Sequence, residues 1–241
     1  VSLNAPGFIG NRMLLGYSKQ ANMLLLEGAL PSQIDNAIEA FGLNMGPFRM
    51  MDLIGLDLGW RARKLAGVDS PLTNKIADTL CENERFGQKN SKGFYNYSEG
   101  SRAPNPAPEN EEIYFKISEE NGFTRREISD EEIVDRCILA LVNEGAKILE
   151  EGVAQRASDM DIVYINGYGF PVWRGGPMFY ANSLGLDKVL EKLKGFQEID
   201  SDFWKPADLL EKLAKDELKF GEAPDINERK GKMKFPDIVG Y

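Results

Sequence analysis

No histidine occurs in the chain. A Ser-His-Asp or Cys-His nucleophile, an imidazole general base and every zinc site built on imidazole are therefore excluded from these 241 residues. Cys81 and Cys137 stand far apart, without CxxC spacing, among apolar residues of helical pattern. That setting predicts buried, inert thiols and no disulfide framework or four-cysteine metal site, and it suits a reducing compartment. Neither GxGxxG nor GxxxxGK[ST] is present, so the chain carries no Rossmann phosphate turn and no P-loop. Amides, amines and phenols remain. Asn11, followed by Arg12, is either a solvent-facing cap or a donor and acceptor aimed into a cleft. Lys89 lies in a glycine-bearing loop with Arg85 and Lys92, either a solvated basic loop or a contact for a phosphate or cofactor edge. Trp60, Trp173 and Trp204, with Tyr164, Tyr168 and Tyr180, either pack at helix ends or line a ligand pocket. Tyr180 is singled out because it follows Gly175-Gly176-Pro177.

These side chains need elements to hold them. Ile9, Met13, Leu14, Tyr17, Ala21, Leu24 and Leu25 share one helical face over residues 8–27, and Gly28 stops the helix. Ser32 and Asp35 resemble a capping box for a second helix reaching Gly42. Helices over 48–54 and 57–66 and a helical stretch over 71–85 follow, then the loop bearing Lys89. Phe94-Tyr95-Asn96-Tyr97 reads as a short strand or a packed tail. The run 99–112 alternates Pro104, Pro106 and Pro108 with polar residues, so it is read as a linker with little to offer a core. Ser129 and Glu132 then cap a long helix carrying Ile133, Cys137, Leu141, Ala146 and Leu149, ended by Gly152. The clusters Gly167-Tyr168-Gly169-Phe170-Pro171 and Gly175-Gly176-Pro177 read as tight turns between closely packed helices.

The second half repeats the first. An offset of 124 places Arg12 on Arg136, Glu27-Gly28 on Glu151-Gly152 and Asn11 on Asp135. At 126, Ser32 and Asp35 fall on Ser158 and Asp161. At 130, Gly46-Pro47 falls on Gly176-Pro177 and Gly55-Leu56-Asp57 on Gly185-Leu186-Asp187. The expected organisation is a first copy over 1–98, a linker over 99–128 and a second, degenerate copy over 129–241, with insertions confined to loops. Lys and Arg number 29 against 38 Asp and Glu, a net charge of −9, which disfavours nucleic acid and anionic membranes as partners. No apolar run approaches the roughly 18 residues of a membrane span. The start, Val1-Ser2-Leu3, reads as cut from a longer protein.

Three strings then carry a resemblance: Pro6-Gly7-Phe8-Ile9-Gly10-Asn11-Arg12; Met45-Gly46-Pro47-Phe48 with Asp52-Leu53 and Gly55-Leu56-Asp57; and Arg85-Phe86-Gly87-Gln88-Lys89 with Gly93-Phe94-Tyr95. In this order and spacing they resemble the C-terminal domain of 3-hydroxyacyl-CoA dehydrogenases. The second copy, with Asn166-Gly167-Tyr168-Gly169-Phe170-Pro171 and Gly175-Gly176-Pro177-Met178-Phe179-Tyr180, is similar to the extra repeat of multifunctional fatty-acid oxidation enzymes. The resemblance implies a mainly α, duplicated helical domain like the C-terminal domain of 6-phosphogluconate dehydrogenase. It implies NAD-dependent oxidation of a 3-hydroxyacyl-CoA to the 3-ketoacyl-CoA in β-oxidation, in a parent that also carries enoyl-CoA hydratase. The family's His-Glu pair and active-site Ser belong to a Rossmann portion absent here, so the chain alone should not catalyse.

Carried over by motif, Asn11 becomes the catalytic and substrate-facing amide, Lys89 the NAD contact and Tyr180 a substrate-side residue. The implied partners are an acyl-CoA, the upstream Rossmann domain and a thiolase. Because Asp135 in ionised form can only accept hydrogen bonds, the copies cannot share one chemistry. The first copy is expected to close the active site, and the second to buttress it and border the substrate cleft through Tyr180. Residues 129–134 and 173–177 resemble bacterial members, and Ile238-Val239-Gly240-Tyr241 is not a Ser-Lys-Leu signal, which gives a cytoplasmic protein with the peroxisome as alternative. A non-catalytic helical scaffold or dimerisation module is the rival reading.

Overall fold

The structure, a computed structural model, describes residues 7–222. Expectations for Pro6, the chain start and residues 238–241 lie outside the described residues. The architecture is mainly α, with eleven α-helices and one two-stranded antiparallel ribbon among the described residues. The described residues divide into two compact units, residues 7–17 with 138–222 and residues 18–137. The division falls inside the two long helices, α1 (Phe8–Glu27) and α7 (Asp130–Glu150).

The unit formed by 18–137 contains the second half of α1, then α2 (Pro31–Phe41), α3 (Pro47–Ile54), α4 (Asp57–Ala66), α5 (Leu72–Glu82), β1 (Asn96–Tyr97), β2 (Pro104–Asn105) and α6 (Glu111–Glu120), and the first half of α7. Leu24, Ile34, Ile38, Phe48, Leu80, Phe94 and Tyr114 are buried in its core, and the Phe48 and Phe94 rings meet at 4.6 Å. The predicted capping box at Ser32 and Asp35 is not formed. The residue before α2 is Leu30, and Pro31, which needs no N–H partner, opens the helix. Asp35 is fully buried and serves the next helix, accepting from the backbone N–H groups of Phe48 (2.9 Å) and Arg49 (3.0 Å) and from the Tyr95 hydroxyl (2.6 Å). Its carboxylate thereby fills the open N-terminus of α3, where the helix dipole favours negative charge.

Residues 99–128 also differ from the expectation of an uncommitted linker. β2 pairs with β1, Ala107 and Asn110 are buried, and α6 buries Tyr114, Ile117 and Ser118. The physical reason lies at the C-terminus of α1, whose last carbonyls need donors. Ser118 Oγ, with one proton, lies 2.8 Å from Leu26 O and 2.7 Å from Tyr114 O, while Arg125 donates to Leu25 O and Gly28 O (2.8 and 3.0 Å) and the Arg126 N–H to Glu27 O (2.8 Å). Gly28 is required at this seam: its φ is +144°, and a Cβ would stand 2.0 Å from Arg126 O.

The other unit holds residues 8–17 of α1 and 138–150 of α7 with α8 (Ala157–Gly167), α9 (Pro177–Leu184), α10 (Leu186–Phe196) and α11 (Asp208–Lys215). Met13, Met160 and Met178 converge on Gly145, where a Cβ would stand 2.6 Å from the Met178 sulfur, and Trp204 is buried against Phe196 and Phe203. Asp161 repeats the role of Asp35 and accepts from Met178 N (2.8 Å) and Phe179 N (3.3 Å) at the start of α9. Gly46 and Gly176 are matched as well, since a Cβ on either would lie 2.4 Å from the aspartate that caps its helix.

Candidate functional site

Asn11 sits on the first turn of α1 with an exposed side chain. The helix is entered through Gly7 and Phe8, both in the left-handed region at φ +78° and +49°. Asn11 Oδ1 accepts a hydrogen bond of 2.7 Å from the hydroxyl of Tyr168. Among the described residues its amide nitrogen makes no hydrogen bond. Its neighbour Arg12 turns the other way: Nε donates to Glu144 (2.5 Å) and the two Nη atoms to Glu151 (2.5 and 2.8 Å). Arg12 is thus a brace between α1 and α7 within this unit, and it holds the Glu151 carboxyl below its usual pKa range.

Tyr180 lies in the same unit, in the first turn of α9. The Arg174 guanidinium stands 5.3 Å from the Tyr180 ring and 4.1 Å from the ring of the exposed Trp173. Of the other aromatic candidates, Trp204 is core. Tyr164 is buried, donates to Gly10 O (3.1 Å) and stacks on Tyr168 with ring centroids 4.7 Å apart. Composition put Tyr168 among six aromatic candidates but gave no reason to connect it with Asn11, 157 residues away.

Lys89 belongs to the unit of residues 18–137. Its loop is pinned from below by the buried Asp52, which accepts from Phe94 N (2.9 Å), Tyr95 N (3.0 Å) and the Tyr97 hydroxyl (2.9 Å). Burial pushes the Asp52 carboxyl up to about 6 against those three donors. Gly93 and Gly87 let the loop lie this close, since a Cβ would meet Asp52 atoms at 2.0 and 2.3 Å respectively. Arg85, expected as part of a basic loop, is buried and structural, donating to Gly93 O (2.8 Å), Asn96 Oδ1 (2.8 Å) and Glu109 (3.1 Å). Lys89 is half exposed and paired with Asp57, which Arg61 also contacts at 3.0 Å. The ammonium of Lys89 holds Asp57 below the usual carboxylate range. Sequence reasoning missed Asp57 as the group that aims Lys89, although Gly55-Leu56-Asp57 had been singled out as a motif.

Cys81 and Cys137 are buried, and burial pushes both thiols up to about 12, as expected of inert positions. Among the described residues no cluster of His, Cys, Asp or Glu has the makings of a metal site, and no helix is long and apolar enough to cross a membrane.

Comparison with known proteins bears on what these groups are. The family described as 3-hydroxyacyl-CoA dehydrogenase, C-terminal domain, matches residues 7–97 and 133–224. A peroxisomal bifunctional enzyme of Danio rerio is 44% identical over 227 residues, 87% of this chain and 32% of that protein. The human peroxisomal bifunctional enzyme is 42% identical over 228 residues, 88% of this chain and 32% of that one. The crystal structure of the dehydrogenase part of multifunctional enzyme 1 from C. elegans superposes with a TM-score of 0.70 at 32% identity, over 87% of this chain and 48% of that chain. The chain therefore spans about a third of the length of the curated relatives it matches.

Proposed function

The chain belongs to the family of 3-hydroxyacyl-CoA dehydrogenase C-terminal domains, and on that premise we propose that it supplies the substrate-facing amide and one cofactor contact of an NAD-dependent 3-hydroxyacyl-CoA dehydrogenase acting in fatty-acid β-oxidation. The observation that carries this reading is the state of Asn11: exposed, on the first turn of a helix, its carbonyl oxygen already bonded and its amide nitrogen without a hydrogen bond among the described residues. Two N–H donors at such a point suit the oxygen of a 3-hydroxyacyl group as it becomes a ketone. NAD would accept the hydride. With no histidine here, the base that takes the hydroxyl proton must come from the rest of the protein, so the isolated chain is not a catalyst.

Lys89 fits the edge of a dinucleotide, because its ammonium is half exposed while Asp57 fixes where it points. The remainder of the NAD site needs an upstream Rossmann domain, since no phosphate-binding glycine turn occurs in these residues. Tyr180 is read as a border of the acyl-CoA site. Its first turn of α9 follows an aspartate-capped N-terminus, and Arg174 stands over its ring. The proposed organisation in sequence is two copies, 1–98 and 129–241, joined by 99–128. Each spatial unit draws a long-helix half from each copy. Support comes from the two matched segments and from the paired roles of Asp35 and Asp161. Peroxisomal residence is favoured over the cytoplasm, as both curated relatives are named peroxisomal. An enoyl-CoA hydratase region in the parent is in keeping with their bifunctional names. No feature of the described residues calls for a thiolase.

The test is kinetic and uses the full-length protein. Asn11→Asp should lower NAD-dependent turnover of 3-hydroxybutyryl-CoA by on the order of a hundredfold, the size of losing one well-aimed donor. Asp135→Asn, at the equivalent position of the second copy, should leave it nearly unchanged. Equal damage from both changes would overturn the division of roles between the copies.

A further inference from the structure

We propose that Tyr168 is a positioning residue for Asn11, holding its amide so that the nitrogen and not the oxygen faces the reacting group. This inference rests on the reading of Asn11 given above. An asparagine amide is nearly symmetric in shape, and a half-turn exchanges its donor and acceptor faces. If Oδ1 faced a developing keto or alkoxide oxygen, it would repel it. The Tyr168 hydroxyl donates to Oδ1 at 2.7 Å and so favours the orientation with N–H outward.

Three further observations show that this contact is built in. A Cβ on Gly10 would stand 2.4 Å from the Tyr168 hydroxyl and 2.5 Å from its ring, so the glycine immediately before Asn11 is what admits the phenol. The Tyr168 ring is stacked on Tyr164 at 4.7 Å and 19°, and Tyr164 in turn donates to Gly10 O at 3.1 Å. The two phenols therefore grip two consecutive residues of α1. The backbone under Tyr168 is also fixed, because the N–H groups of Tyr168 and Phe170 both donate to Tyr164 O at 3.1 Å, with Gly169 at φ +68° between them and Phe170 buried. Burial raises the pKa of Tyr168 and keeps its hydroxyl a proton donor.

Tyr168→Phe removes the hydroxyl and keeps the stacked ring. In the full-length enzyme it should lower kcat about tenfold, the worth of one hydrogen bond, with KM for NAD and the melting temperature unchanged. In an Asn11→Ala background the same change should cost nothing more, since its effect passes through Asn11. In selectively 15N-asparagine-labelled protein, the Asn11 side-chain amide pair, identified by its loss in Asn11→Ala, should shift in Tyr168→Phe. Full activity of Tyr168→Phe beside an impaired Asn11→Ala would overturn the positioning role and leave the Asn11 reading standing. An equal loss from Tyr168→Phe with and without Asn11 would overturn it as well. A fully active Asn11→Ala would overturn the Asn11 reading itself, and the positioning role with it.

Discussion

Arg12 grips Glu151 through both terminal nitrogens, at 2.5 and 2.8 Å, and Arg136 grips Glu27 in the same way at 2.6 and 2.7 Å. The two pairs are exchanged equivalents, because Arg12 corresponds to Arg136 and Glu27 to Glu151 at an offset of 124. Even the third partner matches, for Arg12 Nε donates to Glu144 and Arg136 Nε to the equivalent residue, Gln20. Each copy thus braces the other's long helix. The environments differ, however: the Arg136 side chain is 1% exposed and that of Arg12 22%.

That difference gives an unequal pair of stability effects. Arg136→Ala leaves the buried carboxylate of Glu27 with Arg126 alone, at 3.1 Å, and should cost about 3 kcal/mol. Arg12→Ala, with solvent at hand for Glu144 and Glu151, should cost about 1 kcal/mol. Urea denaturation of the two variants measures both, and similar losses would contradict the account.

Stability should also rise on mild acidification. Burial lifts Asp35, Asp52 and Asp161 to about 6, above the ~3.9 of an unfolded aspartate. The folded state therefore binds more protons between about pH 4 and 6, and lowering the pH through that window favours it. Glu132 and Glu151 are held below their usual range by Arg126 and Arg12, so what they contribute is lost only on further acidification, below about pH 4.3. With no histidine to titrate, the melting temperature should be higher at pH 5.5 than at pH 7.5. In Asp35→Asn and in Asp161→Asn the rise should be smaller.

Lys89→Ala in the full-length enzyme should raise KM for NAD about tenfold, the loss of one charge-assisted contact, with little change in KM for the acyl-CoA. Steady-state kinetics with each substrate varied in turn distinguishes the two. An effect on the acyl-CoA alone would refute the assignment.

Gly10→Ala supplies an independent handle on Tyr168. The gain in helix propensity, at most about 1 kcal/mol, is set against a Cβ 2.4 Å from the Tyr168 hydroxyl, so one of the two must shift. The new methyl would occupy the place of the Tyr168 ring, so turnover should fall at least as far as in Tyr168→Phe. Turnover equal to that of the unaltered enzyme would show that the phenol does not need its present seat.

The sequence by itself determined the helices whose ends are marked locally. Apolar spacing and the stops at Gly28 and Gly152 bound α1 and α7, and the offsets of 124, 126 and 130 exposed the duplication. The motif strings also singled out Asn11 and Lys89. Only tertiary structure decided what Asp35 does. A capping box and a carboxylate that caps the following helix share the same local residues, and burial of the aspartate under α3 chose between them. It likewise gave residues 111–120 a helix that buries Tyr114, Ile117 and Ser118 and brings Ser118 Oγ to 2.8 Å from Leu26 O, 92 residues earlier. The Tyr168 to Asn11 bond, like the exchange of arginine partners between copies, joins positions that no local period connects. Local patterns record the free energy of turns and caps; contacts over more than a hundred residues exist only once both long helices are packed.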